Sequence, residues 1–244
     1  MYRALQAAEK WGIEEIFVLG EAQGATSFSE LLRNDGVPPE VVIDPKNDLV
    51  ALPYSSGTTG LSKGVMLTHE NLVSDMVLTT SINTLTDDDV LIGVLPFFHI
   101  YGMVLILNLA IFKGVTLVTM PRFDLEQFLQ IVQEYKITCL NLAPPLVLAL
   151  SKHPLVEKYD VSSIRLISSG AAPLGQELEQ ACANRLDCQI YQGYGLTEVA
   201  GASHVNTIPV PTGKVGAVGR VVPNTYSKII DTESGQELGV NQKG

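Results

Sequence analysis

Residues 55–64 read Ser55-Ser56-Gly57-Thr58-Thr59-Gly60-Leu61-Ser62-Lys63-Gly64, a dense run of glycines and hydroxyls with one lysine. Glycine lets backbone N–H groups close on an anion, hydroxyls donate side-chain hydrogen bonds, and lysine adds a mobile positive charge. That chemistry suits a polyphosphate. The Walker pattern fails, because it needs Gly before the Lys and Ser or Thr after it, whereas Ser62 and Gly64 flank Lys63 here. The flanks fail it too: residues 49–52 lead in as a strand and residues 65–67 lead out as another, so no helix N-terminus directly follows the glycines. A ligand-free polar hairpin is the alternative for such a composition.

Three further stretches carry side chains that can do chemistry. In Tyr191-Gln192-Gly193-Tyr194-Gly195-Leu196-Thr197-Glu198, Tyr194 between glycines offers a flat face to a base. In the same run Thr197 offers a hydroxyl to a phosphate and Glu198 a hard oxygen ligand to magnesium. Ser169-Gly170-Ala171-Ala172-Pro173-Leu174-Gly175 sets small residues between a strand and a helix. Such residues equally let a flat ring lie on the backbone or let helix and strand pack closely. Pro96-Phe97-Phe98-His99-Ile100-Tyr101-Gly102 follows a strand, where α/β sheets place ligand crevices. A lone histidine beside aromatics fits a catalytic role or a merely satisfied side chain, and spacing leaves His99 undecided. Asp87-Asp88-Asp89 reads as a solvated turn, because adjacent carboxylates do not converge on one ion without a loop built for it.

The elements that position these residues alternate. Thr68 is available as N-cap of a helix from His69 to about Asn83, with Leu72, Val73, Met76 and Val77 as its apolar stripe. Strands are expected at 90–95, 115–119, 138–141, 164–168 and 188–190, and helices at 125–134, 144–152 and 174–185. The apolar run 103–112 reads as a core helix, too short to span a bilayer. The alternation predicts an α/β fold of layered, largely parallel sheets covered by helices. Before this, residues 5–11 and 28–33 read as helices and 16–19 as a buried strand; after it, 228–231 reads as a strand and 231–235 as a turn.

Composition sets outer limits. The chain has 244 residues, 46% hydrophobic and 17% charged, enough to bury a core and read as one large soluble unit. A formal charge of −10 argues against nucleic acid or an anionic membrane as a general partner. Cys139, Cys182 and Cys188 lack paired spacing, which fits reduced thiols and no zinc site. No secretory signal is expected at the N-terminus, and the resulting localisation is cytoplasmic, or peroxisomal if an address lies beyond residue 244.

Residues 53–69 and 191–198, occurring in this order, resemble the two core motifs of the adenylate-forming superfamily of acyl-CoA synthetases, firefly luciferases and peptide-synthetase adenylation domains. The wording is most similar to the 4-coumarate–CoA ligase-like group, with Ser62 where that group often carries Pro. The resemblance implies part of that superfamily's large domain over residues 1–244, with the small C-terminal domain and its adenylation lysine absent, so the isolated chain is expected to be nearly inactive in ATP–pyrophosphate exchange. It implies ATP, Mg²⁺ and CoA as cofactors and co-substrates, and a carboxylic acid, hydroxycinnamate or fatty acid, as partner. Ser55, Ser56, Gly57, Thr58, Thr59, Gly60 and Lys63 would meet the phosphates, and Gly170, Ala171, Ala172, Gln192, Gly193, Tyr194 and Gly195 the adenine. Thr197 would bind the AMP phosphate and Glu198 the metal, while His99 moves as acid and CoA alternate; Lys63, His99, Thr197 and Glu198 are the residues assigned to catalysis. Ile100, Tyr101, Gly170, Gly195 and Ala200 would wall the acyl pocket with His99, above a floor of small residues at 199–203. A luciferase-like or fatty acyl-CoA ligase, or a non-catalytic nucleotide-binding module, are the alternative readings.

Overall fold

The computed structural model describes residues 2–33, 36–55, 60–82, 85–206 and 216–243, and the chain divides into two compact units, Met1–Ile43 and Asp44–Gly244. The first unit holds a helix at Tyr2–Trp11, a parallel pair of two-residue strands, Phe17–Val18 and Thr26–Ser27, and a short helix at Phe28–Leu31. Its strand is not the buried one expected from sequence: Leu19 is 86% exposed and Phe17 is exposed as well.

The second unit is built on a seven-stranded sheet. In chain order its strands are β1 (Val90–Gly93), β2 (Thr116–Thr119), β3 (Cys139–Leu142), β4 (Leu166–Ser169), β5 (Gln189–Leu196), β6 (Gly201–Val205) and β7 (Arg220–Val221). Across the sheet they run β7-β6-β5-β4-β3-β1-β2, parallel from β2 to β5 and antiparallel through β6 and β7. The helices are α1 (His69–Thr80), α2 (residues 100–113), α3 (Leu125–Tyr135), α4 (Pro144–Lys152) and α5 (Gln176–Leu186). The middle of α2, Met103–Asn108, is wound as a π-helix.

Side-chain alternation explains why both faces need helices. Ile92, Leu140, Ile167 and Ile190 pack in one cluster with Phe128, Val132, Val147, Leu150 and Cys182, the inner faces of α3, α4 and α5. Their neighbours one residue away, Leu91, Cys139, Leu166 and Tyr191, point to the opposite face and pack with Leu109 and Ala110 of α2. Strands that bury both faces read as continuous apolar runs, which is how they were recognisable from sequence. Helix starts follow local chemistry: Asp124 caps α3 through Gln127 N, and Thr68 caps α1 in a capping box closed by Asn71.

Three expectations are corrected. Only half of the α1 stripe is buried: Leu72 and Met76 are, Val73 and Val77 are exposed, and Asp75 and Thr79 take their place on the inner face. Of the three aspartates, Asp87 and Asp88 are exposed but Asp89 is 3% exposed, holding Thr86 N, Thr138 Oγ1 and Arg165. At both places a long-range partner overrides the local pattern. Residues 228–231 form no strand, only a single bridge between Ile230 and Glu237, beside a turn in which Asp231 accepts hydrogen bonds from Glu233 N and Ser234 N.

Candidate functional site

Two short antiparallel strand pairs precede α1. Leu49–Ala51 pairs with Leu67–Thr68, and Tyr54–Ser55 pairs with Lys63–Gly64, setting Ser55 opposite Lys63. The outgoing strands thus fall at 63–64 and 67–68 rather than at 65–67. Lys63 is exposed, and α1 begins only at His69, so no helix N-terminus follows the glycines directly. Ser56, Gly57, Thr58 and Thr59 lie outside the described residues, as do residues 207–215.

At the C-terminal ends of the parallel strands, between the sheet and α2, lies a cavity of about 80 Å³. It gathers His99, Ile100 and Tyr101 from the segment after β1, Gly170 and Ala171 from the turn after β4, and Gly193, Tyr194 and Gly195 from β5. Three stretches separated by some 70 and 20 residues in sequence are thereby brought to one site, as the rule for ligand crevices in α/β sheets requires.

Each side chain has an evident support. His99 is the N-cap of α2, its Nδ1 accepting from Tyr101 N at 3.2 Å, so a neutral ring carries its proton on Nε2. Tyr101 is 7% exposed and donates its phenol to the Ser168 carbonyl at 3.0 Å. Burial pushes that phenol well above the usual tyrosine range, so it stays a donor at neutral pH. Gly170 lies against the Tyr101 ring: a Cβ there would come 3.0 Å from Cε1. Tyr194 is about half-exposed, with its ring 5.9 Å from that of His204 at an interplanar angle of 59°, a tilted pair.

The motif at 191–198 is not a loop after a strand. Residues 191–196 are all but the first two residues of β5 itself, and Thr197 and Glu198 open the 3₁₀ turn at Thr197–Val199 that leads to the return strand β6. A register shift at Tyr194/Gly195 marks a bulge, a common device for aiming a side chain at a site. Thr197, Ala172 and Ala200 are outside the cavity lining; Glu198 and Ala200 border an adjacent groove of about 260 Å³ shared with Asn71, Ser74 and Asp75. Gln192 is buried and faces away: its amide bonds Leu174 N and O at 3.0 Å and Glu179 at 2.6 Å, pinning the turn after β4 to β5.

Sequence reasoning missed several lining residues. Asn141, Ser168 and Tyr191 sit where the inward alternation of β3, β4 and β5 turns polar on the face covered by α2, which is the signal that could have found them. Thr79, Leu105 and Val205 come from α1, α2 and β6, and only packing places them here, whereas Gly201 and Ala202 belong to the small-residue floor expected at 199–203. Ser169 is 1% exposed, lines the cavity, and its hydroxyl has no hydrogen-bond partner among the described residues.

Residues 5–244 match the family of AMP-binding enzymes. The chain belongs to that family. It is 44% identical over 252 residues to 4-coumarate–CoA ligase 2 of Petroselinum crispum, a match covering 98% of this chain and 45% of the relative. Probable 4-coumarate–CoA ligase 1 of Dictyostelium discoideum is 44% identical over 223 residues, covering 89% and 40% of the two chains. Among solved structures, a long-chain-fatty-acid-CoA ligase from Archaeoglobus fulgidus superposes with a TM-score of 0.84 at 29% identity, over 99% of this chain and 50% of that one. The luciferase-like enzyme of the mealworm Zophobas morio gives 0.82 at 25% identity, over 98% and 57%. The chain therefore spans 40–45% of the length of these two curated relatives. Among the described residues of this AMP-binding family member, no helix is long and apolar enough to cross a membrane, and no three His, Cys, Asp or Glu side chains gather into a metal cluster.

Proposed function

We propose that this AMP-binding chain supplies the central part of the large domain of an acid–CoA ligase, which activates a carboxylic acid as its acyl-adenylate and passes the acyl group to CoA. The observation that carries the reading is the convergence of His99–Tyr101, Gly170–Ala171 and Gly193–Gly195 on one cavity at the parallel strand ends. In such a reaction the acid's carboxylate attacks the α-phosphate of ATP and expels pyrophosphate; the CoA thiolate then attacks the acyl carbon and expels AMP. Tyr194 presents its half-exposed ring to adenine, and the glycines around it leave room for the base. The apolar wall of Ile100, Leu105 and Val205 takes the acyl group and keeps water from the activated ester.

A magnesium ion fits this chemistry, because Mg²⁺ is usually held by one or two carboxylates together with substrate phosphates rather than by an all-protein cage. Glu198, exposed on the 3₁₀ turn, would hold it, and the ion would offset charge on the phosphate oxygens. The exposed Lys63 adds a second positive group on the pyrophosphate side. The three free thiols fit a reducing, cytosol-like compartment. The 4-coumarate–CoA ligase relatives favour an aromatic acid, and a substrate panel of hydroxycinnamates against fatty acids on a chain extended to the relatives' length separates the two acid classes.

Two sets of variants test the site. Lys63→Ala is expected to weaken ATP binding about tenfold, the loss of one charge-assisted hydrogen bond, while Glu198→Ala removes the magnesium dependence of that binding. Both side chains are exposed, so neither variant should move the melting temperature; an equal drop in both would mean that structural residues have been taken for a site. Ser169→Ala removes a buried hydroxyl that has no partner among the described residues, so the free protein is expected to become more stable by about 1 kcal/mol. The same variant should bind an acyl-sulfamoyl adenosine, a stable acyl-adenylate mimic, about fivefold more weakly in calorimetry. Lower stability with unchanged affinity would assign that hydroxyl to the fold.

A further inference from the structure

We propose that Asp75 is a positioning residue for acyl selectivity: from α1 it holds the backbone of Gly201 and Ala202, the cavity wall against which the acyl group lies. The inference rests on the ligase reading above. Asp75 is 5% exposed on the inner face of α1, next to Met76, where a helix would ordinarily place an apolar side chain. Its Oδ1 accepts from Ala202 N at 3.1 Å and its Oδ2 from Thr79 Oγ1 at 3.5 Å. Its carboxylate also fills the space over Gly201: a Cβ at that glycine, φ +149°, would lie 2.4 Å from Oδ2.

The geometry explains why this strand needs a tether. Gly195 and Ala202 face each other just after the register shift in the β5–β6 ladder, and the Ala202 N–H is directed to the carboxylate on α1. On their other side Gly201 and Ala202 line the cavity, and so does Thr79, one helical turn beyond Asp75. Removing the carboxylate therefore leaves a buried N–H without its acceptor and an open volume directly behind the acyl wall. The wall must then shift, and the cavity's shape with it.

The tether is also charge-sensitive. Among the described residues Asp75 makes no ion pair, and burial raises its carboxyl to about 7. Titratable groups on the elements around it are His69 and Glu70 on α1, Glu198 on the turn before β6, and His204 on β6; Leu67–Thr68 and residues 103–108, which also pack on α1, bring none. The sign follows from the raised value. The stability this carboxyl allows is fully present below the unfolded range near 4 and is lost as pH rises through 7, where ionisation in turn strengthens its hold on Ala202 N–H.

The test measures, on the full chain, calorimetric affinities for sulfamoyl adenosine and for its acetyl and cinnamoyl derivatives. In Asp75→Ala the cinnamoyl-to-acetyl affinity ratio is expected to change at least fivefold, roughly a 1 kcal/mol difference, while affinity for the acyl-free probe stays within twofold. In the wild type that ratio should shift about threefold between pH 6 and pH 8.5, and in Asp75→Asn, which keeps the shape and an acceptor, it should be flat. An unchanged ratio, an equal loss for all three probes, or the same pH response in Asp75→Asn overturns the inference alone. A wild-type chain that binds none of the probes overturns the ligase reading and this inference with it.

Discussion

Asp89→Ala is expected to lower the unfolding free energy by about 3 kcal/mol, measured by urea denaturation followed by circular dichroism. The carboxylate is buried where the N-terminal ends of β1, β3 and β4 meet. It accepts from Thr86 N at 2.8 Å, Thr138 Oγ1 at 2.6 Å and Arg165 Nε at 2.8 Å, with a further short contact from the second guanidinium nitrogen. Arg165 is 40% exposed, so water screens the ion-pair part, and most of the loss comes from part-buried donors left without an acceptor. Asp87→Ala and Asp88→Ala, in the exposed part of the same run, should change stability by less than about 0.5 kcal/mol. Equal effects at all three positions would refute the assignment.

The pH dependence of that contribution has a definite sign. Hydrogen bonds from Arg165 and Thr138 outweigh burial and hold the Asp89 carboxyl well below the usual carboxylate range. A folded value below the unfolded one means that the stabilisation is complete above about pH 5 and is lost as pH falls through 4 toward the folded value. Asp75 behaves oppositely, its cost growing from about pH 4 to pH 7. Wild-type stability should therefore pass through a maximum in mildly acid solution, and Asp75→Asn should flatten its alkaline side.

Gly195→Ala is expected to weaken binding of an acyl-sulfamoyl adenosine by about 100-fold, ~3 kcal/mol, the largest effect of any single methyl added at the site. A Cβ at Gly195 would stand 1.9 Å from the Gly201 carbonyl oxygen, and the obstacle is backbone rather than a side chain that can turn away. The β5–β6 hairpin would have to part, moving Tyr194 and the 3₁₀ turn that carries Glu198. Gly175→Ala, where no atom of the described residues beyond its chain neighbours lies within 4 Å of the new methyl, should cost about 1 kcal/mol of stability or less and leave binding intact. Tight binding by Gly195→Ala would mean that the hairpin is not part of the site.

The sequence by itself determined a great deal. Apolar runs bounded by turn residues marked β1 to β4 and the start of β5, and apolar periodicity marked α1, α3, α4 and α5, with Thr68 as the cap of α1, because these signals depend on neighbours a few residues away. The glycine–tyrosine–glycine run and the small residues after β4 were legible for the same reason: backbone crowding around Tyr194 and Gly170 is written in residue size. What only the tertiary structure decided are the contacts made across more than 40 residues: Asp89 with Thr138 and Arg165, Asp75 with Ala202, and Tyr101 with Ser168. A polar residue in a helix stripe or a turn reads as an exception to a local pattern until its partner is known. Burial turns that exception into an obligation to hydrogen-bond, and the partner's place is set by how strands and helices stack.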